Sequence, residues 1–208
     1  MRVIDADCII IDELDGLEIL KKIEKAGRVC YKSELKITDT SALKFVKTLM
    51  ASGHESVIEH VNVSVKIICD RGVSHEIVRH RIASYSQEST RYCNYSSDKF
   101  DNQLTFIRPS FWINGSEQYR LWEESMKFIE DTYNNMILSG ASPEEARSIL
   151  PNSIKTEMFV TMNLREWRHF FILRTSKRSH PQMREVAKKL LINFKKEIPI
   201  IFDDINDD

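Results

Sequence analysis

Between Val61 and Cys69 every second residue is apolar: Val61, Val63, Val65, Ile67 and Cys69, with Asn62, Ser64 and Lys66 between them. Side chains alternate faces along a strand, so this spacing predicts a strand with one side on a core. It commits the chain to a sheet.

Helical spacing predicts what covers that sheet. Leu17, Ile19, Leu20 and Ile23 form the apolar face of a helix over Gly16 to Ala26. A second helix starts at Thr40 or Ser41, carries Leu43, Val46, Leu49 and Met50, and stops at Gly53. Tyr119, Trp122, Met126, Ile129, Tyr133 and Met136 mark a long amphipathic helix ending near Gly140. Ser142-Pro143-Glu144-Glu145 reads as a capping box opening a short helix before Pro151. Further helices are expected from Leu164 to Arg174 and from Pro181 to about Lys196, with strands at Val3 to Ile11 and Glu157 to Thr161. Asp70-Arg71-Gly72 reads as a turn before a helix from Val73 to about His80, and the polar stretch Ser84 to Ser97 as a functional loop.

A chain of 208 residues with 42% hydrophobic content can bury one sizeable core, so one domain over residues 1–208 is expected. The net charge of -1 offers no global attraction to nucleic acid or an anionic membrane, so any anion site must be local. Cys8, Cys30, Cys69 and Cys93 form no CxxC pair and follow no signal peptide, which points to reduced thiols in the cytoplasm. No apolar run approaches the roughly 20 residues of a membrane span.

Arg79, Arg81 and Arg91 lie within thirteen residues, interleaved with Ser84, Ser86, Ser89 and Thr90. Guanidinium forks make paired, charge-assisted bonds to phosphate, so the segment suits an anion; the plainer alternative is a solvated loop pairing with surface carboxylates. Ser89 as a nucleophile with His80 as base needs an oriented base and an oxyanion site, which spacing does not supply. His54, Glu55, Glu59, His60, His75 and Glu76 lack the i,i+4 histidine pair of the HExxH zinc motif, so no metal is expected.

The string from Arg79-His80-Arg81 to Ser89, then Arg91-Tyr92, resembles the signature of the flavin-dependent thymidylate synthases: Arg-His-Arg, seven residues, Ser. Gly53-His54-Glu55-Ser56, Glu59-His60, Glu144 to Pro151, Asn163-Leu164-Arg165, Leu173-Arg174 and Ser179-His180 extend the resemblance over nearly the whole chain. It implies an α+β fold with a mostly antiparallel sheet flanked by helices, forming a homotetramer with active sites between subunits. It also implies methylation of dUMP to dTMP, with 5,10-methylenetetrahydrofolate as carbon donor and NADPH-reduced FAD as hydride source. Matched position by position, Ser56, Arg79, His80, Arg81, Gln87, Asn163, Arg165 and His169 are expected to bind FAD. Glu76, Arg79, Gln87, Glu88, Ser89, Thr90, Arg91, Arg147 and Arg174 are expected around dUMP, and His54 at the flavin face with the folate. A cation beside the pyrimidine favours its enolate-like form, which makes Arg174 the expected catalytic residue; without the resemblance it reads as an arginine complementing a helix C-terminus.

The chain departs from the family pattern in carrying Glu76 where Gln is common, Gln87 where Glu is common and Cys30 where Ser is common. Opposite exchanges at 76 and 87 preserve the formal charge, so Glu76 is expected to compensate for Gln87. The stretch from Thr175 to Ser179 is longer than in some relatives, which loosens the spacing by which the resemblance matches His180 to a flavin contact. Two other functions compete. A nucleotide- or RNA-binding module would stack bases on Tyr85, Tyr92 and Tyr95, against which the near-neutral charge argues. Cysteine-dependent thymidylate synthesis needs a nucleophilic cysteine beside a proline and before a histidine, a setting none of the four has.

Overall fold

A computed structural model of the chain describes residues 1–206. In chain order the elements are β1 (Arg2–Ile4), β2 (Asp7–Ile10), α1 (Gly16–Cys30), α2 (Ser41–Ala51), a 3-10 turn (Glu55–His60), β3 (Asn62–Asp70), α3 (Arg71–Ile77) and β4 (Ala83–Gln87). Then come β5 (Thr105–Ile107), α4 (Glu117–Leu138), α5 (Pro143–Ala146), β6 (Lys155–Asn163), α6 (Leu164–Arg174) and α7 (Pro181–Glu197). Four strands form a sheet in the order β2-β3-β6-β4, and β1 pairs with β5 separately.

The alternating strand is β3, with Val63, Val65, Ile67 and Cys69 fully buried. It runs antiparallel to β6: Leu164 N donates to Val61 O at one end, and Arg71 N to Ile154 O at the other. The hydroxyls of Ser64 and Thr161 meet at 2.9 Å on the partly solvated face. An antiparallel sheet with helices is thus what the chain forms, although the β1–β5 pair is parallel, Arg2 opposite Thr105.

The chain divides into two compact units. One comprises 1–7, 67–79 and 86–158. Its core gathers Tyr95, Phe106, Tyr119, Trp122, Met126 and Tyr133. The other comprises 8–66, 80–85 and Phe159 onward. There Trp167, Phe170 and Phe171 of α6 meet Phe194 of α7 and Phe202, with ring centroids 5.1–5.8 Å apart. Trp167 is fully buried and its Nε1 donates to Val63 O at 3.0 Å, so the largest apolar side chain leaves no polar group unpaired.

Local chemistry explains the element ends. Asp15 Oδ1 accepts from Leu17 N and Glu18 N to start α1. Gly53, at φ +70°, ends the α2 region as expected. Ser142 and Glu145 complete the capping box reciprocally.

Some expectations are corrected. The strand expected over Val3 to Ile11 is two: β1 bonds to β5, whereas Ile11 N, just past β2, bonds to Ser64 O of β3. Asp70-Arg71-Gly72 is no turn but a helix start, with Asp70 Oδ1 accepting from Val73 N at 2.7 Å, and α3 ends at Ile77. The loop expected over Ser84 to Ser97 begins as strand β4, whose alternation is written in polar residues: Ser84 and Ser86 exposed, Ala83, Tyr85 and Gln87 partly buried. An apolar periodicity does not register such a strand.

Candidate active site

Two groups of expected residues come together, one in each compact unit. The first is built on α6. Asn163 caps this helix, its Oδ1 accepting from Glu166 N at 2.9 Å. Residues 166, 170 and 174 follow at intervals of four and so share one face of the helix. The His80 imidazole lies along that face. Its Nδ1 is 3.0 Å from Glu166 Oε1, its ring meets Phe170 edge-on at 5.0 Å between centroids, and its Nε2 is 3.1 Å from Arg174 Nε.

These contacts fix the tautomer. A guanidinium nitrogen can only donate, so His80 Nε2 must carry the lone pair, and Nδ1 must carry the hydrogen it donates to the Glu166 carboxylate. His80 is therefore neutral. Burial holds its pKa below the ordinary imidazole value, and the Arg174 charge lowers it further, while Glu166 pulls the other way. His169, exposed on α6, stands 5.4 Å away ring to ring. Tyr85 donates its hydroxyl to His80 O at 2.5 Å, and burial pushes that phenol up to about 12.

His80, Glu166 and His169 could gather round a metal ion. A cation there would have to displace Arg174 from Nε2 or the proton from Nδ1, beside a fixed positive charge. Nor is His80 available to activate Ser89, since both its nitrogens are committed.

Around the same helix, Arg165 pairs with Glu59 at 2.5 Å, and Arg168 is clamped by Glu55 at 3.0 Å and Asp204 at 2.6 Å. Ser56 and His54 are exposed, in the Glu55–His60 turn and at its N-cap. Arg81 is exposed and has no carboxylate partner among the described residues.

In the other unit, Arg71, His75, Thr90, Arg147 and Asn152 line a cleft of about 240 Å³. Arg71 Nη1 donates to Glu88 O at 3.2 Å. Thr90 is buried and Arg147 exposed. Ser89 O accepts from Cys93 N and Ser89 Oγ from Arg91 N, which folds the signature segment into a tight turn. Arg91 pairs with Glu144 at 2.9 Å, both about half exposed. Arg79 is exposed and, among the described residues, without a carboxylate partner.

Two expected dUMP contacts point into the protein. Gln87 Nε2 donates to Ser74 Oγ at 3.0 Å and Thr156 Oγ1 at 3.1 Å. Glu88 accepts from Tyr95 Oη at 2.8 Å and binds Lys155 at 2.9 Å, so both its oxygens are engaged. Burial opposes the charge on Lys155, but Glu157 and Glu88 together raise its pKa. Glu76 is half-buried on α3.

The sequence reading missed Glu166, Arg71 and Lys155, and weighed His75 only as a metal ligand. For Glu166 a signal existed: it stands three residues after an N-cap asparagine and eight before Arg174. Arg71 was hidden by reading a helix start as a turn.

The donor chemistry fits a flavin dinucleotide: Arg79 and Arg81 each present an exposed guanidinium that no carboxylate among the described residues neutralises, the kind of donor a pyrophosphate requires. No helix of the described residues is long and apolar enough to cross a membrane.

Comparison with known proteins agrees. The flavin-dependent thymidylate synthase of Pyrococcus furiosus is 39% identical over 157 residues, 75% of this chain and 64% of that protein, so the chain spans under two thirds of that relative's length. The one from Geobacter sulfurreducens is 37% identical over 186 residues, 86% of this chain and 78% of that protein. Among solved structures, the UMP/dUMP methylase PolB from Streptomyces cacaoi, bound with 5-Br dUMP, superposes with a TM-score of 0.79 at 23% identity, covering 98% of this chain and 96% of that one. That likeness establishes the fold. Residues 14–200 match the family described as thymidylate synthase complementing protein, and the chain belongs to that family.

Proposed function

We propose that this chain methylates dUMP to dTMP, taking the carbon from 5,10-methylenetetrahydrofolate and the hydride from FAD reduced by NADPH. Family membership over residues 14–200 carries the reading. The geometry that supports it is the Arg174 guanidinium held on a neutral imidazole, a cation oriented by a group that does not compete for its charge.

Arg79 and Arg81, with Ser56, Gln87, Asn163, Arg165 and His169, hold FAD, which when bound supplies the hydride; His80 backs that site from within, its ring nitrogens engaged by Glu166 and Arg174. Arg165 would exchange Glu59 for the cofactor, and Asn163 would use its amide nitrogen, its oxygen being the α6 cap. Glu76, Arg79, Gln87 to Arg91, Arg147 and Arg174 surround dUMP, Gln87 and Glu88 shaping the site from behind. Arg174 stabilises negative charge developing on the pyrimidine as C5 becomes nucleophilic. His54 lies at the flavin face with the folate. The chain acts as one family domain, as a homotetramer with active sites between subunits, in the cytoplasm, where its four free cysteines stay reduced.

The test is a spectrum and an assay. Purified protein is expected to be yellow with oxidised-flavin absorbance and to form dTMP only with dUMP, methylenetetrahydrofolate and NADPH together. A colourless protein that binds no added FAD and forms no dTMP would end this reading.

A further inference from the structure

The α6 cluster contains a carboxylate that the proposed reaction leaves without a task. Glu166 is buried, and its Oε1 takes the Nδ1 hydrogen of His80. We infer that Glu166 is a positioning residue for Arg174, acting through His80 by holding the one imidazole tautomer whose Nε2 can accept the Arg174 Nε hydrogen.

The argument is one of hydrogen-bond polarity. A neutral histidine chooses between two tautomers, and the partner of one nitrogen decides what the other can do. Facing a carboxylate, Nδ1 keeps its hydrogen, and Nε2 is left as a lone pair aimed at Arg174, 3.1 Å away. In the other tautomer, or in the imidazolium, Nε2–H would face Nε–H and the guanidinium would have to turn away.

The backbone reinforces the arrangement. Glu166 and Arg174 are on the same helix, about 12 Å apart along its axis by a rise of about 1.5 Å per residue, and Phe170 between them packs against the imidazole edge. Asn163 fixes the first turn through Glu166 N itself. The ionisable groups facing His80 are Glu166, Arg174 and His169 from α6 and Tyr85 from β4, with Arg79 and Arg81 adjacent in sequence. Glu166 is the one anion among them.

This inference rests on the reading that Arg174 acts on the pyrimidine. The test uses FAD-loaded protein labelled with 15N in histidine, with His80 assigned by substitution, alongside kcat for dTMP formation across pH. In the natural protein His80 is expected as the neutral Nδ1–H form. Glu166→Leu removes the acceptor: the Nδ1–H form should be lost and kcat should fall about 10- to 100-fold, the value of one hydrogen bond to a charged group, with flavin content retained. Glu166→Gln keeps an acceptor oxygen but removes the charge. The tautomer should persist, and the acidic limb of the kcat profile should move to lower pH, because an anion that favoured the imidazolium is gone. A merely structural glutamate would leave that limb in place.

Persistence of the Nδ1–H form in Glu166→Leu, or an unmoved acidic limb in Glu166→Gln, overturns the inference. If Glu166→Leu does not fold, Glu166→Gln decides alone. Arg174→Ala is measured in parallel: if it still makes dTMP at the natural rate, the reading beneath fails, whatever the tautomer does.

Discussion

The chain presents its arginines in two ways. Arg79 and Arg81 are exposed and have no carboxylate partner among the described residues. Arg174 is half-buried and tied through Nε to a neutral imidazole that is itself tied to a carboxylate. An exposed guanidinium keeps its donors for whatever anion arrives and gives up side-chain entropy only on binding. A guanidinium fixed beforehand has already given up that entropy and meets developing charge without reorganisation. On the proposed reading, the difference separates residues that recruit an anion from one that steadies charge as it develops.

Substitutions can break or sharpen that contrast. The largest effect is expected from Arg174→Ala: dTMP formation should fall by at least about 100-fold while flavin stays bound, as read by an end-point dTMP assay and the flavin spectrum. Equal loss of flavin and activity would place Arg174 with the recruiting arginines.

Lys155→Met tests a held cation outside α6. It leaves Glu88 and Glu157 without their shared ammonium, and the urea midpoint should fall by an amount worth about 1–3 kcal/mol. Arg81→Ala should weaken FAD binding roughly tenfold, measured by titrating the protein stripped of flavin, with stability moving by less than about 0.5 kcal/mol. A large stability change there would mean that Arg81 is structural after all. The smallest effect on stability is expected from Arg91→Ala, which breaks a half-exposed pair with Glu144 and should cost under about 1 kcal/mol in thermal unfolding.

What could be read from the sequence followed how each feature is encoded. β3 announced itself because burial on one face forces apolar alternation, and the capping box of α5 because its two bonds need particular side chains at a set spacing. β4 stayed hidden because Ser84, Tyr85, Ser86 and Gln87 alternate without an apolar face, and β1 and β2 merged because nothing local says that they bond to different partners. In the site, Arg79, His80, Arg81 and Arg174 were named through the family signature. Glu166 was not, since its role depends on a contact 86 residues away in the chain. Nor could spacing reveal that Gln87 and Glu88 turn inward.

That inward turn has a consequence for which residue can stand at position 87. Ser74 has a single hydroxyl hydrogen, and it is donated to Arg71 O at 2.8 Å. What approaches Ser74 Oγ from position 87 must therefore be a donor, which the amide of Gln87 is and a carboxylate is not. The preference is directional, like a valve: Gln87 gives to Ser74, Ser74 to the Arg71 carbonyl, and the Arg71 guanidinium to Glu88 O. Reversing the first link would require the serine to let go of the backbone of an arginine that walls the cleft. A carboxylate at position 87 thus calls for a different residue at position 74, and the two positions should be exchanged together.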